Sequence, residues 1–399
     1  MSAVLPEGGV WSRWRRRHHQ ALLARRKLWL QVHLWLGLVL GGVPALVGLT
    51  GAVLVFHAEI DHAINPAFFR ATPPPGAQRV PLQRLREVAR QEAPANWESG
   101  TLILPDDAEG NVVAAYWLEA GTPAPEEAVS LNLALDPYSG RVVGRRTFYH
   151  RWNPLKHCFT GFFFKLHYAL LLGEFGTTLV GVLGVFFVLS ALTGLVLWWP
   201  LDGKWKRVLG IKRGASPVRL NHDLHQAFGF WSSVVLLAVL VSGLYFNLPE
   251  QFRWIVERFS PLAPEPEAAA VAGPPMDLDS LLTGASTGAL NYVSLPDPKT
   301  GLTEACWRDV PELRPRVVDN RCVTFDSAGG RALKVADTRS GSGGDTFMLW
   351  QWPLHSGSAF GWTGRILVML SGLACPLLFV TGVIRWLHKR RAQRMRRAR

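Results

Sequence analysis

Cysteine is scarce in this chain: four in 399 residues, none in a Cys-x-x-Cys or Cys-x-x-Cys-His arrangement. That excludes zinc ribbons and covalently attached c-type haem. A G-x-G-x-x-G, a phosphate-binding loop and a nucleophile motif in strand-to-helix context are also missing, so the chain carries no nicotinamide or flavin site of its own. The glycine-rich SGSGGD at 340–345 follows a strand-like stretch, precedes no evident helix and reads as a flexible loop. Carboxylates are nearly absent from the apolar runs, with Glu174 the clear exception. Cys306 and Cys322 share one segment and form a candidate disulfide, whereas Cys158 and Cys375 read as unpaired.

Apolar length is abundant. Four runs, about 34–56, 177–199, 228–248 and 364–384, reach the ~18 residues that mark a membrane-spanning helix. The segments beside them are basic: residues 1–32, 200–221 and 385–399 hold 21 of the 43 Lys/Arg, with only Glu7 and Asp202 as acids. The positive-inside rule then puts both termini and the middle loop in the cytoplasm, and the two long connections outside. Anchoring beside anionic lipid explains the net charge of +13, so nucleic acid is not an expected partner. The first run, with no small-residue cleavage site after it, reads as an anchor rather than a cleaved leader.

The expected order is a basic cytoplasmic N-terminus (1–32), a first span (33–57), an outer module (58–165) and a second span (166–200). A cytoplasmic loop (201–221), a third span (222–248), a second outer module (249–354), a fourth span (355–386) and a basic cytoplasmic tail (387–399) follow. The fold class is a membrane protein with an all-α four-helix transmembrane bundle and two α+β extracytoplasmic modules. Each module opens with a predicted helix, at 81–93 and 276–285, and ends in a hairpin, VSLNLALDPYSGRVVG at 129–144 and RCVTFDSAGGRALKV at 321–335. The Ala/Pro-rich stretch 261–275 reads as a linker.

The two halves are an internal duplication. With His33 on His225, Gly37 falls on Gly229 and Gly51 on Gly243 without a gap. With His167 on His355, Gly173, Gly176 and Gly184 fall on Gly361, Gly364 and Gly372, and Thr193-Gly194 on Thr381-Gly382. An ionisable side chain at a span marks function by default, and the repeat selects four of the twelve histidines. Topology pairs His33 with His225 at the inner face and His167 with His355 at the outer face. Two histidines on different helices at one depth suit the two faces of a haem iron, so two bis-histidine b-type haems are the expected cofactors. His57 and His222 remain alternative ligands, and Arg365 an alternative propionate or headgroup contact. Zinc or copper transport is the rival metal reading, with Glu174 near His167 the one carboxylate to support it. The Thr-Gly and Ser-Gly pairs at 50/51, 193/194, 242/243 and 381/382 read as close-packing points between helices, with haem clearance as the alternative. Trp198, Trp199, Trp205 and Trp386 read as an interfacial belt.

The motifs HLWLGL from His33 with TGAVLVF, LH at 167 with LTGLVLWWP, HQAFGF from His225 with SGLYF, and LH at 355 with VTGVIRW resemble the PepSY-associated transmembrane protein family over residues 28–390. The DPYSGRVVG turn is similar to its PepSY domains. The resemblance implies a multi-pass protein of the bacterial inner membrane with periplasmic PepSY-like modules, and a di-haem reductase of ferric siderophores with His33, His225, His167 and His355 as axial ligands. Electrons would come from a cytoplasmic or membrane-pool donor. Two other functions stay open: a haem subunit serving a separate periplasmic oxidoreductase, and a non-redox PepSY-type regulator of secreted proteases.

Overall fold

The computed structural model describes residues 25–94, 97, 100–117, 128–150, 158–201, 203–267, 273–297 and 299–398. Most of the basic N-terminus, His18, His19 and His157, and part of the expected linker lie outside them. From the amino end, α1 (Arg25–Leu40) and α2 (Gly42–Leu54) form a pair bent by 66° that together can make one span. A π-helical turn at Leu36–Leu40 runs into Gly41 and Gly42, and Pro44, which has no N–H, stands just beyond. These account for the bend, where the expectation was a single unbroken helix.

Next come α3 (His57–Ile64), α4 (Pro66–Phe69) and α5 (Leu82–Glu92), then strands β1 (Gly100–Ile103), β2 (Val112–Trp117), β3 (Ala128–Leu135) and β4 (Val142–His150). The short α6 (Phe159–Ala169) brings the chain back to the long helix α7 (Gly173–Trp198). The basic loop holds α8 (Trp205–Leu209), and α9 (Pro217–Asn247) runs back toward the sheet. After α10 (Pro249–Glu257) and α11 (Leu278–Leu282) come β5 (Ala289–Ser294), β6 (Leu302–Arg308), β7 (Arg321–Asp326) and β8 (Ala332–Ala336). The chain closes with α12 (Gly343–Leu349), α13 (Gln351–Ser356) and α14 (Gly361–Arg397). Among the described residues, α7, α9 and the helix ending in α14 are each long and apolar enough to cross a membrane.

Two expectations about loops are corrected. SGSGGD is not a free loop: Ser342 and Asp345 cap each other's backbone, a reciprocal capping box that starts α12 within the motif. The second and fourth spans also begin later than residues 166 and 355. Leu170 and Leu171, with φ of 50° and 61°, separate α6 from α7, and Gly357, with φ of 78°, ends α13 ahead of α14. Gly176 and Gly364 allow these breaks, because a Cβ on either would collide with the carbonyl of Ala169 or Gly357.

The eight strands form one antiparallel sheet, in the order β4-β3-β2-β1-β5-β6-β7-β8. Thr101, Leu102 and Ile103 of β1 pair with Ser294, Val293 and Tyr292 of β5. The two long connections, each expected to form an α+β module, are thus joined in one layer. Left apart, each would expose β1 or β5 as an unpaired edge, and their pairing removes both edges. The main core spans both halves of the sheet, with Leu85, Leu102, Leu133, Leu278, Val293 and Phe325 all buried in it, and a smaller cluster gathers Phe68, Val113 and Ala134. Asp279 accepts from the Leu82 and Gln83 amides at 3.0 and 2.9 Å, stitching α11 to α5. Cys306 and Cys322, directly opposite on β6 and β7, are joined by a disulfide.

Arg146 of β4 ties the sheet to the helices, with both terminal nitrogens 2.8 Å from the carboxylate of Asp61 on α3. Burial alone would push the Asp61 carboxyl up; Arg146 and Asn65, both hydrogen-bonded to it, outweigh that and hold it below the usual carboxylate range.

Candidate functional site

The four histidines His33, His225, His167 and His355 form two facing pairs. The rings of His33 on α1 and His225 on α9 lie 6.3 Å apart, centroid to centroid, with planes at 76°. Those of His167 on α6 and His355 on α13 lie 6.0 Å apart at 63°. Metal–imidazole bonds are ~2.0–2.1 Å, so two imidazoles on opposite sides of one metal put their centroids about 6 Å apart once ring size is added. A cavity of about 1580 Å³ is lined by all four rings and runs from Lys389 at the basic end to Asp106 in the β1–β2 loop.

A recurring local structure orients each ring. Thr193 donates its hydroxyl proton to Ser190 O in its own helix, at 2.9 Å. Thr50 likewise donates to Leu46 O or Val47 O, Ser242 to Ala238 O or Val239 O, and Thr381 to Leu377 O or Leu378 O. With its proton committed to the helix, each hydroxyl offers lone pairs to the imidazole, so the imidazole Nδ1 must be the donor. His33 Nδ1 reaches Ser190 O at 2.9 Å and Thr193 Oγ1 at 3.3 Å. His167 Nδ1 reaches Val47 O at 2.9 Å and Thr50 Oγ1 at 3.3 Å. His355 Nδ1 reaches Val239 O and Ser242 Oγ, both at 3.0 Å, and His225 Nδ1 reaches Thr381 Oγ1 at 2.9 Å. All four hydroxyl residues are at most 4% exposed. Protonated Nδ1 leaves Nε2 with a free lone pair, the tautomer of a metal ligand held by a second group.

The glycine after each hydroxyl residue completes the arrangement. A Cβ on Gly51 would lie 2.8 Å from His167 Cε1, and one on Gly194 3.1 Å from His33 Cε1. At Gly243 and Gly382 the corresponding distances, to His355 and His225, are both 3.4 Å. The small-residue pairs, first read as helix-packing points, therefore seat the histidines. The signal was visible in the sequence, because these pairs recur in the same register as the histidines.

The seats are reciprocal. In the N-terminal half, α7 seats His33 of α1 while α2 seats His167 of α6. In the C-terminal half, α14 seats His225 of α9 while α9 seats His355 of α13. Each half holds its own two imidazoles and offers one to each facing pair.

The remaining candidates are placed differently. His57, exposed at the start of α3, gives its Nδ1 to Leu54 O at 2.8 Å, and His222 is half-buried on α9; both line the cavity, and neither faces another imidazole. Arg365 is engaged within the protein, 2.6 Å from Glu59, 2.8 Å from Val55 O, and against the Phe56 and Trp362 rings. Glu174 is exposed at the start of α7. Among the described residues, the one cluster with metal-ligand spacing is Glu304 with Cys306 and Cys322, and its two sulfurs are bonded to each other. Trp198 is buried rather than a belt residue, stacked at 3.8 Å on Phe230 and bonded to Val208 O.

No curated protein matches the chain. A family profile described as the PepSY-associated TM region matches residues 30–389, a stretch that contains both histidine pairs, their seats and the whole sheet. A match over so much of its length means that this chain belongs to the PepSY-associated transmembrane family.

Proposed function

We propose that this protein is a di-haem transmembrane electron carrier that reduces an extracytoplasmic acceptor, with chelated ferric iron such as a ferric siderophore as its substrate. The observation that carries the reading is the two facing imidazole couples at 6.3 and 6.0 Å, each ring seated through Nδ1. His33 and His225 would hold one b-type haem, and His167 and His355 the other. The cavity of about 1580 Å³ exceeds the ~300–1,000 Å³ of a pocket for one small ligand, as two macrocycles require. In this reading the duplicated halves form a four-helix bundle in the bacterial inner membrane, with both termini cytoplasmic and the sheet periplasmic.

Haem so held supplies a one-electron couple with no open iron position, which suits electron transfer rather than oxygen binding. The chain's own part is to keep four imidazoles neutral, fix their Nε2 atoms toward the cavity and exclude water with apolar helices. Adding one electron to Fe(III) weakens its hold on hard oxygen ligands, so chelated iron is a chemically sensible acceptor.

An absorption spectrum of the purified protein before and after dithionite tests the reading. Soret and α bands should appear, and changing His33 or His167 to Ala should each remove about half of the haem. The near-perpendicular ring planes further call for a highly anisotropic low-spin electron paramagnetic resonance signal. A haem-free protein would favour the regulator of secreted proteases. Reduced protein that ferric chelates fail to reoxidise would instead favour delivery of electrons to a separate periplasmic oxidoreductase.

A further inference from the structure

Two arginines of α14 line the cavity, one toward each end, and they are in opposite states. Arg365 is held by Glu59, the Val55 carbonyl and two aromatic rings. Arg385, exposed where it lines the cavity, has neither an ion pair nor a hydrogen bond among the described residues. It lines the same cavity as His33, His222 and His225. It is also one helical turn from Gly382, which packs against His225. His222 adds a second unsatisfied group. Its Nδ1 is buried without a hydrogen bond, and the carboxylate beside it, Asp223 at 3.8 Å, is ion-paired with Arg219 at 2.7 Å.

Resting on the haem reading above, we propose that Arg385 and His222 form an anion site at the basic end of the cavity, and that it takes a carboxylate of the macrocycle held between His33 and His225. A guanidinium is suited to this, since it presents parallel donors to a planar carboxylate and stays charged at any working pH. The sheet-side pair has no such vacancy in its cation, because Glu59 already supplies the carboxylate. The two haems should therefore differ in the charge that faces them. A cation beside a haem favours the added electron, so the basic-side haem should be the one whose potential depends on Arg385.

The same donors could take the phosphate of a lipid headgroup, and the experiment separates the two sources. Full-length wild type, Arg385→Gln, Arg385→Lys and His222→Gln would be placed in nanodiscs of neutral phosphatidylcholine or anionic phosphatidylglycerol, then titrated redox-spectroscopically and examined by resonance Raman scattering in the propionate-bending region. In Arg385→Gln one of the two redox transitions should move down by about tenfold in its equilibrium constant, ~59 mV for one electron. The other transition should stay in place and serve as an internal control for folding. Arg385→Lys should recover part of the shift, His222→Gln should move the same transition less, and the propionate band should change in Arg385→Gln in both lipids. If both transitions and the propionate band match wild type, the proposal is overturned. A shift that appears only in phosphatidylglycerol, with an unchanged propionate band, assigns the site to a headgroup and also overturns it. Wild type without haem would instead refute the reading on which the site rests.

Discussion

The two halves of the chain use the same seat with opposite emphasis. In the N-terminal half, His33 and His167 sit 2.9 Å from a carbonyl but 3.3 Å from their hydroxyls, and close against Gly194 and Gly51. In the C-terminal half, the hydroxyls of Thr381 and Ser242 are nearer, at 2.9 and 3.0 Å, and Gly382 and Gly243 stand further off. Steric closeness confines one pair of rings, and hydroxyl bonding holds the other. Because each facing pair draws one ring from each half, each proposed haem has one ligand of either kind.

The largest effect should come from adding a methyl group to the tight half. Gly51→Ala places a carbon 2.8 Å from His167 Cε1, closer than side-chain carbons tolerate, so His167 must leave its seat. The expected outcome is loss of one of two haems in the pyridine haemochrome assay, with the other retained. Gly194→Ala, at 3.1 Å, should loosen the opposite site less, whereas Gly243→Ala and Gly382→Ala, at 3.4 Å, should leave two haems in place. Equal loss from all four variants would mean that the difference between the halves has no functional content.

A second contrast concerns how each half is fastened to the sheet. The N-terminal half uses the buried Arg146–Asp61 pair, with side chains 14% and 6% exposed. In the C-terminal half, Glu265, 61% exposed, bridges Arg253 of α10 and Lys334 of β8, each at 2.8 Å. Removing one partner of a buried pair costs about 3–5 kcal/mol, but an exposed pair contributes only ~0–1 kcal/mol. Asp61→Asn should therefore lower the thermal midpoint of the sheet, followed by circular dichroism, far more than Glu265→Gln. The pH dependence follows from the same carboxyl. Its pKa is depressed in the folded state, so the stabilisation is present above the unfolded value of ~3.9 and is lost as pH falls through the folded value. An acid limb of equal size in wild type and Asp61→Asn would exclude this fastening.

Much of the helical part was legible, because apolar length and basic flanks are properties of single segments. The four histidines were legible through the repeat, which singled out two rings in each half. Less local features were not. The bend at Gly41 depends on a π-turn and on contact with Phe379, and the breaks before α7 and α14 depend on left-handed residues that include Leu170 and Leu171, which carry no turn signature. The union of the two outer segments rests on β1 meeting β5 across nearly two hundred residues, a pairing that no local pattern encodes. The seats lay in between: the Thr-Gly spacing was visible, but a hydroxyl facing a partner helix looks the same in sequence whether it meets a backbone or an imidazole.

The smallest effect should be the most discriminating. Thr381→Val keeps the shape of the side chain and removes the oxygen 2.9 Å from His225 Nδ1, leaving a buried donor short of its closest acceptor. Such a loss costs about 1–3 kcal/mol. Thr50→Val removes a more distant oxygen, at 3.3 Å, and leaves His167 with Val47 O at 2.9 Å, so its cost should fall well below that. The hydroxyl also orients the ring, so the change should appear in the reduction potential and ligand-field spectrum of the basic-side haem as well as in its retention. Thr381→Ser, which restores the oxygen without the methyl group, should recover the wild-type potential. A Thr381→Val protein that loses haem but is not rescued by Ser would assign the residue to packing. One that matches Thr50→Val would show that the hydroxyl is dispensable for seating the imidazole in both halves.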